Sequence, residues 1–266
     1  MDVRDRNLVR MLGVEGVPTV MLAHGFGCDQ NMWRHVAAPL SERFRVVLFD
    51  HVGSGSSDPS AWDPQRYATL GGYAEDILQI VDGLGLRDTV FVGHSVAAMM
   101  GVLASTTRPD AFAKLVLVAP SPRYIDDVGY RGGFSSADID ELLDSLESNY
   151  LGWSQAIAPV IAGNPDRPEL SEELAETFCR TDPACAKVFA RATFLSDNRA
   201  DLPSVSVPTL VLECAEDAIA PVGVGAYVAA HISDSTLITL DTTGHCPQLS
   251  APEATAAEIA AFAGVP

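Results

Sequence analysis

The sequence predicts an α/β fold: a mostly parallel sheet with helices on both faces, interrupted by an inserted helical segment. Three observations lead there. Short apolar runs alternate with helix-like stretches along most of the chain. Those runs are rich in Val and Leu without a clean period of two, as in strands buried on both faces. One long interior stretch, residues 123–199, contains no strand-like run.

Taken in order, Val17 to Ala23 is the first strand, and Asn31 to Leu40 reads as a helix behind it. Arg45 to Asp50 is the second strand and Leu70 to Leu84 the helix that follows. Thr89 to Gly93 leads into a helix over Val96 to Arg108, and Lys114 to Ala119 is a fourth strand. The pattern returns with strands at Thr209 to Cys214 and Thr236 to Leu240, and helices at Val222 to His231 and Pro252 to Phe262. Between the two blocks, Ile139, Leu142, Leu143, Leu146 and Tyr150 recur at helical spacing. So do Trp153, Ile157, Val160 and Ile161, then Leu170, Leu174 and Phe178, then Val188, Phe189 and Ala192. Asn164-Pro165 is a turn, and Asp182-Pro183 sets a capping side chain before a proline at the first helical position. Residues 1–122 and 200–266 are therefore expected to form one core, with 123–199 inserted as a four-helix lid over the carboxyl edge of the sheet.

The chain has 266 residues, 47% hydrophobic and 20% charged, which suits a single domain with a sizeable core. Asp plus Glu number 35 against 17 Lys plus Arg, a formal net charge of -18. Such a surface repels phosphate backbones and anionic lipid heads, so neither nucleic acid nor membrane is an expected partner. Residues 1–10 contain three Arg and two Asp, with no apolar leader stretch, and no apolar run is long enough to span a bilayer. The five cysteines, Cys28, Cys179, Cys185, Cys214 and Cys246, match no zinc spacing. Reduced thiols, a cytoplasmic location, no metal and no cofactor are the expectation.

The chemistry gathers at strand ends. The strand Thr89 to Gly93 runs into Gly93-His94-Ser95-Val96-Ala97 and a helix, a strand-to-helix elbow that holds a serine hydroxyl clear of the sheet. Ala97 stands where the second glycine of Gly-x-Ser-x-Gly usually lies. A serine hydroxyl needs a base, and the base needs a third group to orient it, in the chain order Ser, acid, His. Of six histidines only His231 and His245 come late. His231 falls inside a helix, so His245, in the loop after the last strand, is the expected base. Asp217, just past the strand Thr209 to Cys214, is the expected acid, with Glu216 and Asp241 as lesser candidates. The oxyanion donors are expected to be the N–H groups of Val96 and of Phe26, the latter in His24-Gly25-Phe26-Gly27. His24 is read as a structural histidine bracing that loop and Cys246 as a packing residue. Gly53-Ser54-Gly55-Ser56 lacks the lysine of a phosphate cradle and is read as a tight loop.

These motifs have a family. His24-Gly25-Phe26-Gly27-Cys28-Asp29-Gln30, Asp50-His51-Val52-Gly53-Ser54-Gly55-Ser56-Ser57-Asp58 and Gly93-His94-Ser95-Val96-Ala97-Ala98-Met99-Met100-Gly101 closely resemble the RsbQ-type α/β-hydrolases. Gly132-Gly133-Phe134, Asn149-Tyr150-Leu151-Gly152-Trp153, Phe194-Leu195-Ser196-Asp197-Asn198-Arg199 and Gly244-His245-Cys246-Pro247 do so too. That group holds a bacterial stress-response regulator and is related to the plant karrikin and strigolactone receptors. The resemblance runs from about Arg6 to Phe262. It implies an α/β-hydrolase fold, a triad of Ser95, Asp217 and His245, and oxyanion donors on Phe26 and Val96. It further implies a V-shaped lid of four helices over a small apolar pocket. Ala97, where relatives often carry Ser, and the strong acidity are departures.

Two functions compete at this point. One is a serine hydrolase cleaving a small, neutral, hydrophobic ester or lactone through an acyl-enzyme. The other is a ligand-sensing regulator acting on a partner such as a PP2C-type phosphatase, with hydrolysis secondary; a neighbouring gene for such a phosphatase with a PAS sensor would favour it. Ser95 argues against haloalkane dehalogenases, which use Asp at the elbow, while carbon–carbon bond hydrolases and cofactor-free haloperoxidases form a third option. Phe26, Phe134, Trp153, Phe178, Phe189 and Phe194 are the expected pocket residues, five of them in the lid segment. A ring-walled cavity holds few partners for a charged ligand.

Overall fold

A computed structural model describes residues 1–264. Its seven strands are β1 (Arg10–Leu12), β2 (Thr19–Ala23), β3 (Arg45–Leu48), β4 (Thr89–His94), β5 (Phe112–Val118), β6 (Thr209–Glu216) and β7 (Ser235–Thr243). They form one sheet in the order β1-β3-β2-β4-β5-β6-β7, with β1 antiparallel to β3 and every other pairing parallel. The eleven α-helices among the described residues begin with α1 (Val3–Arg6), α2 (Arg34–Leu40), α3 (Leu70–Gly83) and α4 (Val96–Thr107). Next come α5 (Ser136–Ser148), α6 (Tyr150–Ala162), α7 (Pro168–Arg180) and α8 (Pro183–Phe194), then α9 (Val224–His231), α10 (Pro247–Ser250) and α11 (Pro252–Ala263).

The missing period of two in the strands has a direct cause. Successive strand residues point to opposite faces, and here both faces are covered. Val20, Leu22, Val90, Val92, Val116 and Val118 pack with α2 and α11. Their neighbours Met21, Ala23, Phe91, Leu115 and Leu117 pack with α3, α4 and α9 on the other side. Every residue of β2 and β4 is buried.

Helices α5 to α8 lie between β5 and β6 in the chain and are started by local chemistry. Ser135 and Asp138 form a reciprocal capping box at α5. Asp182 accepts the N–H groups of Ala184 and Cys185 at α8, and Pro168 and Pro183 occupy first-turn positions. Leu143, Leu146, Trp153, Leu174 and Phe178 turn their apolar faces into the core cluster that also holds α2 and α11.

Several boundaries differ from the sequence reading. The edge strand β1 was not expected: its three residues are exposed, so no burial pattern marks it, and pairing with β3 defines it. Residues Gln30–Trp33 form a 3₁₀ turn ahead of α2. Helix α9 begins at Val224, two residues later than expected, after Gly223 in a left-handed conformation. Strand β7 runs on to Thr243 and carries the chain close to His245.

Candidate active site

Ser95 sits between β4 and α4 with φ 57° and ψ -123°, outside the comfortable regions for a residue with a side chain. Two hydrogen bonds hold it there: its N–H donates to Val118 O at 2.8 Å, and its carbonyl accepts from the Ala98 N–H at 3.0 Å. Gly93 is required by close approach, since a Cβ there would meet the backbone of Ala97 and Ala98. Ala97 itself fits, fully buried.

The hydroxyl of Ser95 donates to His245 Nε2 at 2.7 Å, and His245 Nδ1–H donates to Asp217 Oδ2 at 2.7 Å. The His245 and Asp217 side chains are 5% and 1% exposed, so this relay is shut off from bulk water. Asp217 Oδ1 accepts from the N–H groups of Ile219 and Ala220 at 2.7 and 3.0 Å. Burial pushes the carboxyl upward, but His245 and these N–H groups outweigh it and hold Asp217 below the usual carboxylate range. Of the lesser acids, Glu216 is exposed and accepts from Thr243, and Asp241 is exposed on β7. A register shift between Cys214 and Glu216 breaks the alternation of β6 just before the loop that carries Asp217.

Helix α6 and the turn after it help to place His245. The His245 N–H donates to Ile161 O near the end of α6 at 2.8 Å, and Asn164 Nδ2 donates to Thr243 O at 2.7 Å. Gly244, at φ +95°, passes so close to Ala162 O that a Cβ would collide with it. His94 secures the other side. It is buried, and its Nε2–H donates to His245 O at 2.8 Å. Burial lowers its pKa to about 3, so a neutral ring faces His245.

The loop after β2 lies against the elbow. A Cβ on Gly25 would sit 2.7 Å from His94 Nδ1 and 3.3 Å from Ser95 Cβ, so glycine allows this approach. Neither the Phe26 N–H nor the Val96 N–H has an acceptor in the protein among the described residues. The Val96 N–H opens the twelve-residue helix α4, whose dipole adds positive potential beside Ser95. His24 braces this loop: its Nδ1–H donates to Gly25 O at 2.9 Å, and its Nε2 accepts the His51 N–H at 3.1 Å. His51 Nε2–H returns a bond to His24 O at 3.0 Å.

These buried histidines make a prediction. Burial lowers the pKa of His24 and lowers that of His51 well below the ordinary value, as it does for His94. Unfolded histidines titrate near 6.5, so below that pH the unfolded chain binds more protons than the native one. Stability is then full above about pH 6.5 and falls as pH drops below it, for His94 down to about pH 3, by up to about 1.4 kcal/mol per pH unit for each histidine still neutral in the native state. Urea midpoints at pH 7.5 and 5 should show this fall, and an unchanged midpoint would contradict it.

Above Ser95 lies a small cavity of about 40 Å³. Phe26, Trp153, Phe178 and Phe194 line it, with Leu142, Ile157, Ile161, Leu174 and Ile219 completing the apolar wall. Phe26 is the hub, with ring centroids 5.9 to 6.1 Å from Trp153, Phe178 and Phe194. Two expected rings are elsewhere. Phe189 stacks on Tyr73 at 4.6 Å and backs Phe26 from the α3 side, because its place on α8 turns it to that core. Phe134 is pinned by backbone bonds to Tyr124 and Asp126 and leans on the outer edge of the cluster. Tyr124 was missed: it lines the cavity, buried, with its hydroxyl 3.3 Å from Ser95 Oγ. Its place shortly after β5, at the same carboxyl edge as Ser95, was the available signal. Cys28 and Cys246 also line the cavity; burial pushes both thiols well up, away from thiolate chemistry.

Among the described residues no Asp, Glu, Lys or Arg lines the cavity. Among the described residues no cluster of His, Cys, Asp and Glu is placed to hold a metal, the five cysteines are free, and no helix is long and apolar enough to cross a membrane.

Comparison with known proteins bears on this arrangement. The sequence matches the alpha/beta hydrolase family over residues 20–258. The chain belongs to that family. It is 40% identical to the karrikin insensitive 2 receptor CA of Petunia hybrida over 252 residues, 94% of this chain and 93% of that protein. It is 41% identical to a strigolactone esterase of Arabidopsis thaliana, over 92% of this chain and 94% of that protein. Among solved structures, a hydrolase from Oleispira antarctica superposes with a TM-score of 0.95 at 40% identity, covering 98% of this chain and 96% of the other. The parallel sheet and flanking helices of this hydrolase are thus those of its family.

Proposed function

We propose that this hydrolase is a serine esterase of the RsbQ type that cleaves a small, neutral, hydrophobic ester or lactone through an acyl-enzyme. The observation that carries the reading is the relay from Ser95 to His245 to Asp217, each link 2.7 Å, opening on an apolar cavity. His245 takes the Ser95 proton as the hydroxyl attacks the carbonyl carbon. The N–H groups of Phe26 and Val96 receive the oxyanion, and Asp217 steadies the imidazolium. His245 then protonates the departing alkoxide. In the second half it activates water against the acyl-Ser95 ester. In a lactone the alkoxide stays tethered to the acyl group, and water still frees the acid.

The substrate class follows from the wall. With no charged side chain lining the cavity, a buried carboxylate would lack a paired cation there. A small p-nitrophenyl ester should be turned over and should leave an acyl mass increment on Ser95. Tryptophan fluorescence should respond to an apolar ester analogue, through Trp153, and not to a free carboxylate of equal size. Equal or tighter binding of the anion would overturn the neutral-substrate reading.

A second reading rests on the likeness to a receptor across 94% of this chain. In it, ligand capture drives a regulatory partner such as a PP2C-type phosphatase, and hydrolysis is secondary. A Ser95→Ala protein that still alters phosphatase activity when ligand is added would favour it. The five free cysteines suit a reducing compartment, and we place the protein in the cytoplasm.

A further inference from the structure

Thr193 stands apart among the cavity residues that helices α5 to α8 supply. It lies on α8 next to Phe194, it is 1% exposed, and it lines the cavity above Ser95. Its Oγ1 has no hydrogen-bond partner among the described residues. Other threonines in helices behave differently. Thr107, Thr177 and Thr255 each return the hydroxyl to the carbonyl four residues earlier, at 2.8 to 2.9 Å. That back-bond is the usual way for a helical threonine to satisfy itself. Thr193 makes no such bond to Phe189 O. A buried hydroxyl without a partner is costly, and the other cavity residues on helices α5 to α8 are apolar or aromatic.

We infer that Thr193 is a specificity residue whose hydroxyl donates to a second oxygen of the substrate, an ether, ring or carbonyl oxygen apart from the scissile carbonyl. The inference rests on the esterase reading for the place of the scissile group. The hydroxyl has one proton to place, and the protein offers it no acceptor. A ligand oxygen satisfies it, whereas a methylene at the same point leaves it unpaired. Sites built around such a hydrogen bond discriminate against the analogue that lacks it. The substrate class therefore narrows from any small apolar ester to an oxygenated one: still neutral, with a second acceptor within the part that fills the cavity.

The test compares matched acyl groups in which one methylene is exchanged for oxygen. The probes are p-nitrophenyl butyrate with p-nitrophenyl methoxyacetate, and the pentanoate with the 3-methoxypropanoate. The readout is the ratio of kcat/KM, oxygenated over plain, in wild type, Thr193→Val and Thr193→Ser. Dividing the variant ratio by the wild-type ratio cancels the intrinsic reactivity of the esters. For at least one pair the ratio should fall about tenfold in the valine variant, equivalent to about 1.4 kcal/mol, and should survive in the serine variant. Ratios unchanged by Thr193→Val in both pairs would overturn the inference, as would an equal loss in Thr193→Ser, which keeps the hydroxyl. A binding arm separates this from the esterase reading. In a Ser95→Ala background, affinities for the same esters should lose the same preference when Thr193→Val is added. If wild type turns over none of the esters, the esterase reading falls, while the binding ratios still decide the role of Thr193.

Discussion

Ser95→Ala should abolish ester turnover, with a loss of kcat on the order of 10⁶ and a residual rate of about 10³ over water from binding and the oxyanion donors. The expectation follows from the position of the hydroxyl, 2.7 Å from His245 Nε2 at the floor of the cavity. Alanine keeps the backbone that orders the elbow, because the bonds to Val118 O and from the Ala98 N–H involve main-chain atoms only. The variant should therefore remain folded and still bind the ligand, as tryptophan fluorescence can read, while the acyl mass increment disappears. Undiminished hydrolysis of a p-nitrophenyl ester by the variant would sink the mechanism.

Asp217→Asn should cost up to about 10⁴ in rate. The asparagine oxygen can still accept from the Ile219 and Ala220 N–H groups, which leaves the amide –NH₂ facing His245. A donor there meets the Nδ1–H of the working ring, so the imidazole shifts its proton to Nε2. That nitrogen can then no longer accept from Ser95. The wild-type carboxylate stays ionised across the neutral range, since its pKa lies below the usual value. Glu216→Gln, at an exposed position where the side chain accepts from Thr243 Oγ1, should stay within about twofold of wild type. The reverse pattern, a crippled Glu216→Gln beside a normal Asp217→Asn, would reassign the acid.

Much of this site could be read in the sequence because its signals are local. The elbow is a strand, a small residue, a serine and a helix in unbroken succession. The order Ser95, Asp217, His245 matches the chain order of the α/β-hydrolase template, and each of the three lies close after a strand. Tyr124 and Thr193 were missed: both line the cavity, and that facing depends on how the segment after β5 and helix α8 pack over the strand ends. The same is true of Phe134 and Phe189: helical spacing put Phe189 on an apolar face without saying which core that face meets.

The sequence by itself determined the class of sheet, the helical insertion and the residue types that can do acyl chemistry. Buried strands need apolar residues on both faces, helices need their period and caps, and both demands are met within a few neighbouring residues. Only the tertiary structure decided which acid turns inward, which rings wall the cavity and what holds His245 in place. Those outcomes depend on contacts between segments far apart in the chain. His245 takes a hydrogen bond from His94 at its carbonyl and gives one to Ile161 at its N–H. The bulge in β6 sets the course of the Asp217 loop, and Gly27, at φ +71°, leaves the space that the Phe178 ring fills. No short window along the sequence contains both His245 and His94, both His245 and Ile161, or both Gly27 and Phe178, so packing, rather than local preference, settled those contacts.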